Sequence, residues 1–443
     1  MALTAPRRRR ILSLALPIMG GMASQNVLNL VDTAFVGRLG QASLAGVGMA
    51  GFANWLLISL LLGLGAGVQA TAARRKGEGA LSETAVGLNA ALLLAAGLGI
   101  PVAVLGVVFA PDILAVLNDD PAVRVPGAAY LGARFVAAPF AAANFAFRGY
   151  WNGTDRSKNY MMTLMIMHLF NVVLDWALIF GHLGLPELGV AGAGWATSIS
   201  LMIGTALYFG LGWLQARPGG FLRARGTLAV MPTIVRLAVP ASVQQFAFSA
   251  GFVAFFVIAG KVGTDALAAS NVLVNLMLLC VLPGVGLGIS GATLVGQALG
   301  RGEPRDARAW GNDVIKVGMV LMGGIGGILA LGASTWLGIF IDDDPATIAI
   351  AVTPLVILGL GQVVDSVGVV LTQTLIGIGD AIAILRISLI GQWLVFLPAA
   401  WWLCVVHDGG LLTLWAAMVV WRLGTALACV LRWRGAAWQR TAA

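Results

Sequence analysis

The sequence predicts an all-α polytopic membrane protein with twelve transmembrane helices, in two six-helix bundles related by a pseudo-two-fold axis along the membrane normal. Three observations support this fold class. The 443 residues are 59% hydrophobic and only 10% charged, so a soluble domain would lack the polar surface it needs. Long apolar runs recur along nearly the whole chain, and the second half of the chain repeats the first.

The apolar runs have the length of membrane-spanning helices. About 20 apolar residues cross a hydrocarbon core of roughly 30 Å, and a helix satisfies its own backbone hydrogen bonds there. The twelve predicted spans are 11–36, 44–70, 83–109, 123–147, 157–181, 188–213, 229–259, 267–298, 309–336, 346–374, 380–405 and 409–434.

Proline and glycine residues repeat at a spacing of 223 residues. This shift aligns Pro17 with Pro240, and Gly63 to Gly65 with Gly286 to Gly288. Matched helix-breaking residues in two halves of a chain indicate a duplication. Each half has an even number of predicted spans, so both halves begin on the same side of the membrane, which is the parallel-repeat arrangement of some secondary transporters.

A segment rich in glycine, arginine and proline, "QARPGGFLRARGTL", separates the two halves and is typical of a linker. We therefore predict five regions. They are a basic cytoplasmic N-terminus at 1–10, an N-lobe at 11–213, an inter-lobe linker at 214–228, a C-lobe at 229–434 and a cytoplasmic tail at 435–443.

The basic residues indicate membrane topology. The net charge of +8 resembles that of a nucleic-acid-binding protein, but the basic residues are dispersed over short loops, so we expect no nucleic-acid partner. Of the 27 lysines and arginines, 22 fall at the termini and in alternate gaps, which the positive-inside rule assigns to the cytoplasm. We place Arg124 and Arg134 on the outer side, together with the acidic segments "NDDP" (118–121) and "DDDP" (342–345). The expected location is the bacterial inner membrane, with both termini cytoplasmic and the lipid bilayer as a partner.

Two predicted spans each have a polar face at a similar depth. In span one, helical spacing places three polar residues on one face, namely Gln25, Asn29 and Asp32. In span five, a second face has His168, Asn171 and Asp175. Neither face can contact lipid at an acceptable cost, so we expect the two to face each other.

The two aspartates suggest a proton carrier. An ionised carboxylate near the centre of a bilayer costs about 2.5–3.5 kcal/mol, and we see no lysine or arginine on these faces to offset that cost. Asp32 and Asp175 should therefore be protonated part of the time. The alternative interpretation is that these polar residues only hydrogen-bond neighbouring helices. The repeat places Phe255 and Trp401 opposite the two acids, so the pair belongs to the N-lobe alone.

Other intramembrane residues have more than one interpretation. Asp365 in span ten is either a secondary cation site or a structural contact, and Arg422 in span twelve is expected to pair with a carbonyl or an acid. Pro17 is either a bending point of span one or part of the start of that helix. The motif "GLGAG" at 63–67 lies inside an apolar span with no preceding strand, so it predicts a close helix contact and not a nucleotide site.

The chain resembles the multidrug and toxic compound extrusion (MATE) family, and within it the DinF-like branch. The resemblance covers essentially the whole chain. It depends on Pro17, and on "VDTAFVGRLG" (31–40), "NGTDRSK" (152–158), "NVVLDWALIFG" (171–181) and "GVAGAGWAT" (189–197). The resemblance implies export of organic cations and other amphipathic compounds by two bundles that alternate between outward-open and inward-open shapes, driven by a proton or sodium gradient.

The resemblance also implies functional residues. Positions matching the proton and substrate site of DinF-like members are Asp32, Asn171, Asp175 and Thr197, and Pro17 matches the bending proline. The chain departs from the sodium-coupled NorM-like pattern, because span seven begins with Gln244 and Gln245 and lacks an acid there. Asp365 does match the acid of that branch in span ten. Protons are therefore favoured as the coupling ion, and sodium stays open.

We predict a proton-coupled antiporter, monomeric and without a cofactor or metal, in which protonation of the N-lobe aspartates releases a cationic or amphipathic substrate. Within transport, the alternatives are a sodium-coupled multidrug antiporter and a lipid-linked saccharide flippase. A flippase would be expected to have a cationic cavity, and we see no cluster of lysine or arginine inside the spans. A membrane-embedded enzyme would need a nucleophile and base pair or an HExxH-like motif, neither of which the sequence contains.

Overall fold

The computed structural model describes residues 4–223, 226–341 and 345–440. Parts of the predicted termini (1–3 and 441–443), of the linker (224–225) and of the outer acidic segment (342–344) lie outside these residues. All regular structure in the described residues is helical. The α-helices are α1 (Ala5–Gly37), α2 (Gln41–Gly77), α3 (Val86–Leu117), α4 (Pro121–Phe135), α5 (Ala138–Gly153), α6 (Ser157–Phe180), α7 (Val190–Leu211), α8 (Thr227–Val262), α9 (Thr264–Gly300), α10 (Pro304–Leu331), α11 (Ala333–Phe340), α12 (Pro345–Gly377), α13 (Ala381–Ser388), α14 (Leu397–Trp401) and α15 (Leu411–Arg434).

The fold class is confirmed as an all-α polytopic membrane protein. Within the described residues, 11 helical segments are long and apolar enough to cross a membrane. One of them, Ala381–Val406, joins α13 and α14 through two π-helical stretches. Many large apolar side chains lie on the outer surface, and Val116 and Leu331 are 86% and 93% exposed. Such a surface is expected where helices contact lipid.

The fourth predicted span, 123–147, differs from the prediction of one continuous helix. The chain there forms α4 and α5, which are separated at residues 136–137. Pro139 explains the break, because it has no N–H to donate to the carbonyl of Phe135 and its ring crowds that carbonyl. The Ala137 N–H instead bonds the carbonyl oxygen of Arg134 at 3.2 Å, which closes a tighter turn.

The duplication is visible in the helix lengths. Helices α2 and α9 both have 37 residues, and they begin 223 positions apart. Helices α4 and α5 together cover 121–153, and their counterpart 224 positions later is α12, which is one continuous helix of 33 residues. Val363 stands in α12 at the position of Pro139. The break therefore belongs to the first repeat alone.

The described chain divides into two compact units. We call residues 20–242 the first unit, and residues 4–19 with 243–440 the second unit. The boundaries lie inside α1 and α8, whereas the predicted lobes begin at residues 11 and 229. The predicted lobe boundaries therefore stay a prediction about the organisation of the chain.

In the first unit, α2 packs against α3, α4 and α5. Glycine pairs permit the closest of these contacts. A Cβ atom at Gly149 would collide with the carbonyl oxygen of Gly65, and a Cβ atom at Gly127 would lie 2.9 Å from the carbonyl oxygen of Gly46. Any larger residue at these positions would require the backbone to shift, so the glycines fix the spacing of the helices that surround the site.

The "GLGAG" motif forms a close helix contact, as the sequence predicts. The Gly63 N–H donates to Ser242 Oγ on α8 at 3.1 Å. A Cβ atom at Gly67 would lie 3.2 Å from the carbonyl oxygen of Ile234 on the same helix. The motif therefore packs the first part of α8 onto the first unit.

In the second unit, α12 packs against α9, α10 and α15. The first part of α1 is anchored there by ion pairs from Arg7 to Asp306 at 2.9 Å and to Asp313 at 2.7 Å. The guanidinium carbon of Arg7 also lies 3.8 Å from the centroid of the Trp310 ring. Contacts of this kind fix the start of α1 by charge and by cation–π attraction.

Candidate functional site

The polar faces of α1 and α6 meet in the first unit, as the sequence predicts. Gln25 Nε2 donates to Asn29 Oδ1 at 3.2 Å along α1. The Gln25 Oε1 atom lies 3.2 Å from His168 Nε2 on α6. Because an amide oxygen can only accept, this contact requires the proton of the imidazole to be on Nε2. Gln25 therefore links the two faces at their inner ends.

The two aspartates meet at the outer end of the same faces. The Asp32 side chain is the hydrogen-bond partner of the Asp175 side chain. Asp175 is fully buried, and no N–H or O–H group of the described residues donates to either of its carboxyl oxygens. Two ionised carboxylates only accept, so a hydrogen bond between them requires a proton on one of the two. The pair is therefore built to hold a proton.

Asn171 and Thr197 extend this site. Asn171 is buried one helical turn before Asp175, and its Nδ2 lies 3.5 Å from Thr197 Oγ1 on α7. The Thr197 hydroxyl donates to the carbonyl oxygen of Ala193 at 3.1 Å, which leaves its oxygen free to accept from Asn171. Asn171 Oδ1 has no hydrogen-bond partner among the described residues.

The site is therefore rich in acceptors. Four buried side-chain oxygens lack a protein donor within the described residues, and they belong to Asp32, Asn171 and Asp175. Such a cluster is complementary to a group that supplies positive charge or hydrogen-bond donors. A proton, a metal cation and an organic ammonium ion all meet this requirement.

The sequence interpretation missed one charged residue of the site. Arg134 was placed on the outer side of the membrane, and that assignment is wrong for the side chain. The residue lies in the last turn of α4, where its charge acts on both Asp32 and Asp175. Its Nε and Nη1 atoms are buried without a hydrogen-bond partner in the part of the chain that the structure describes. The expectation that no basic residue acts on the two acids is therefore corrected.

A signal for Arg134 was present in the sequence. The residue falls near the middle of the predicted span 123–147, where a positive charge is costly and indicates a function. The structure also places Tyr130, one helical turn earlier on α4, within electrostatic reach of both acids and of Arg134. Neither residue matched a recognised motif, so spacing on a third helix had to identify them.

Asp365 has a different environment in the second unit. Arg422 Nε donates to Asp365 Oδ1 at 2.7 Å, and Arg422 Nη2 donates to Oδ2 at 2.6 Å. The expectation that Arg422 pairs with a carbonyl or an acid is confirmed. Helix α1 passes through Pro17 without a break, and the proposed bending role of that proline stays a prediction.

Comparison with known proteins identifies relatives along both repeats. The sequence profile of the MatE family matches residues 17–177 and 240–402. These two matches begin 223 residues apart, which is the spacing of the predicted duplication, so the duplication is confirmed.

Individual relatives extend over nearly the full chain. "Probable multidrug resistance protein NorM" of Thermotoga maritima is 26% identical, over 93% of this chain and 89% of its own length. "Multidrug resistance protein PmpM" of Pseudomonas aeruginosa is 28% identical, over 96% of this chain and 90% of its own length. The fold is similar to that of the outward-facing conformation of a multidrug resistance MATE family transporter of the MOP superfamily, with a TM-score of 0.86, 22% identity, and coverage of 97% of this chain and 95% of that one.

Proposed function

We propose, from the premise that this chain belongs to the MatE family, that it is a multidrug efflux transporter which exchanges inward protons for outgoing cationic or amphipathic compounds. The names of the NorM and PmpM relatives support the class of substrate. The DinF-like branch stays a prediction, as do the monomeric state, the inner-membrane location and the cytoplasmic termini.

The observation that favours protons is the contact between Asp32 and Asp175. Their hydrogen bond needs one proton, and no fixed donor competes for the oxygens of Asp175 within the described residues. A group that binds a proton only when no other cation is near can exchange one for the other. This is the minimum chemistry of an antiporter.

Competition for the same oxygens provides the coupling. When protons enter from outside, they neutralise Asp32 and Asp175 and remove the attraction that holds a cationic substrate. When the site is open to the cytoplasm, the protons leave and the ionised pair binds the next substrate. A proton that moves inward through 100 mV gains about 2.3 kcal/mol, and about 1.4 kcal/mol corresponds to a tenfold concentration ratio. One proton per cycle therefore supports a gradient of several tens-fold.

The alternatives differ in what the site must bind. A sodium-coupled antiporter would use the same acceptor oxygens for a metal cation, so the coupling ion has to be tested directly. A lipid-linked saccharide flippase would favour a cationic cavity for its phosphate groups. Arg134 supplies one positive charge beside two acids, and that balance supports a site for cations.

The test is uptake of a fluorescent organic cation by proteoliposomes under an imposed pH gradient. Wild-type protein is compared with Asp32→Asn, which keeps the size of the side chain and cannot ionise. We expect gradient-driven flux in the wild type, and background flux in the variant. Asp119→Asn, in an exposed loop, is the matched control and should transport normally.

Two outcomes would contradict the proposal. Unchanged flux in Asp32→Asn would remove that residue from the coupling mechanism. Flux that follows an imposed sodium gradient at constant pH, and not a pH gradient, would favour the sodium-coupled alternative.

A further inference from the structure

We propose that Arg422 is a built-in cation, which occupies the position in the second unit where Asp365 would otherwise hold a dissolved monovalent cation. The native protein then binds no such ion at Asp365. Removal of the guanidinium would create a sodium site in its place. This inference adds to the proposed function by limiting the exchangeable ions to the first unit.

The geometry of the pair leaves Asp365 no free valence. The two N–H groups of Arg422 bond the two carboxyl oxygens at 2.7 and 2.6 Å, the parallel arrangement in which guanidinium and carboxylate bind most strongly. The side chains of Asp365 and Arg422 are only 8% and 13% exposed. A dissolved cation would have to displace the guanidinium before it could reach the acid.

The depth of the pair indicates that its charges have a function. Arg422 is at the middle of α15, and Asp365 is well inside α12, so both helices place these charges far from their ends. Each charge costs about 2.5–3.5 kcal/mol near the centre of a bilayer even on a lenient scale. Two apolar residues would fill the same space at a lower cost. A purely structural contact therefore does not account for the pair.

The surroundings of the pair include an unused oxygen. Gln362 lies one helical turn before Asp365, and its Nε2 donates to the carbonyl oxygen of Leu358 at 3.3 Å. Its Oε1 atom is buried, and it has no hydrogen-bond partner among the described residues. Gln362, Asp365 and Arg422 line the same small cavity, together with Met277 and Trp415.

This set of oxygens fits a hard cation. Without the guanidinium, the cavity would contain two carboxylate oxygens and one amide oxygen, which are the ligand types that hard metal ions prefer. The negative charge of Asp365 would then be uncompensated in an apolar environment. Sodium, as the abundant small monovalent cation outside cells, is the probe we select.

The test is binding of radioactive sodium to purified protein in a sodium-free choline buffer. The variant Arg422→Gln removes the positive charge, Arg422→Lys keeps it, and the double variant Arg422→Gln/Asp365→Asn removes both charges. We expect Arg422→Gln to retain at least about fivefold more sodium than wild type, and to gain a sodium-dependent rise in melting temperature by mass action. Wild type, Arg422→Lys and the double variant should show neither effect.

Removal of one partner of a buried ion pair can prevent folding, so Arg422→Met is a second test variant that retains the volume of the side chain. Saturable sodium binding to wild type that is lost in Asp365→Asn would overturn the proposal. Binding to Arg422→Gln or Arg422→Met that does not exceed binding to the double variant would also overturn it. These measurements use no proton gradient, so their failure is distinct from a failure of the transport test on Asp32→Asn.

Discussion

The acid pair of the first unit and the single acid of the second unit meet the same physical problem in different ways. Asp32 and Asp175 lie together without a donor to Asp175 among the described residues, so only a mobile cation can compensate their charge. Asp365 has a bidentate guanidinium fixed to its own chain. The difference teaches that a buried acid can be tolerated with a permanent partner or with an exchangeable one. Only the second solution permits ion exchange.

The repeats place opposite charges on corresponding helices. The counterpart of Arg134 in α12 is Leu358, and the counterpart of Asp365 in α5 is Ala141, when the two segments are aligned from their first residues. The first repeat therefore has its cation on the broken segment α4–α5, whereas the second has its acid on the continuous helix α12. After duplication the two copies acquired distinct electrostatic roles.

The largest effect that we predict concerns stability. Asp365→Asn would leave the charge of Arg422 buried and unpaired, which should reduce the free energy of unfolding by about 3–5 kcal/mol. Asp175→Asn loses no protein donor, so its change should stay within about 0.5 kcal/mol. Thermal unfolding of both variants in one detergent measures the contrast. Equal melting temperatures for the two variants would break the comparison.

The second effect reverses that order in transport. Asp175→Asn should lose the gradient-driven accumulation that one proton supports, a fall of at least about tenfold. Asp365→Asn, in the fraction that folds, should still accumulate substrate under a pH gradient. The measurement is initial uptake per folded molecule in proteoliposomes. Loss of transport in both variants would show that the two acids share one function.

The third effect concerns Arg134. Its positive charge opposes the binding of a cation to the nearby acids, and a unit charge contributes about 1–2 kcal/mol over roughly 10 Å at an effective dielectric constant of about 20. Arg134→Gln should therefore lower the KM for a cationic substrate by up to about tenfold. A neutral amphipathic substrate is the control, and its KM should stay unchanged. Arg134→Lys should resemble wild type, and a raised KM for the cation would contradict the assignment.

The smallest effect is expected at Thr197. The contact of its hydroxyl with Asn171 is long, at 3.5 Å, so its loss should cost less than about 1 kcal/mol. Thr197→Val keeps the shape of the side chain and should change the KM by no more than about fivefold. A complete loss of transport in Thr197→Val would instead assign the hydroxyl a direct contact with substrate.

The fold could be predicted from the sequence because its causes are local. Length and apolarity identify membrane helices, and matched glycines and prolines identify the repeat. The division of 123–147 into α4 and α5 was also determined locally, by Pro139, but hydropathy averages over a window and does not register one missing N–H group. The unit boundaries inside α1 and α8 depend on packing between distant segments, which no local pattern contains.

The site was predictable in part for the same reason. Helical spacing on α1 and α6 identified Asp32 and Asp175, because each face is defined by its own helix. The influence of Arg134 depends on how α4 is placed beside those helices, so the sequence gave no geometric basis for it. Arg422 and Asp365 were both recognised as costly intramembrane charges, but their pairing joins helices 57 positions apart in the chain and required the structure.

The glycine contacts between helices have a genetic consequence. Gly65 and Gly149 meet in the first unit, and Gly326 and Gly359 meet in the same way in the second, each leaving no room for a Cβ atom. Every single-nucleotide change of a glycine codon that alters the amino acid adds at least one carbon. Laboratory evolution of this chain toward new resistance profiles is therefore expected to leave these four codons untouched, and a saturation library should show them as intolerant positions.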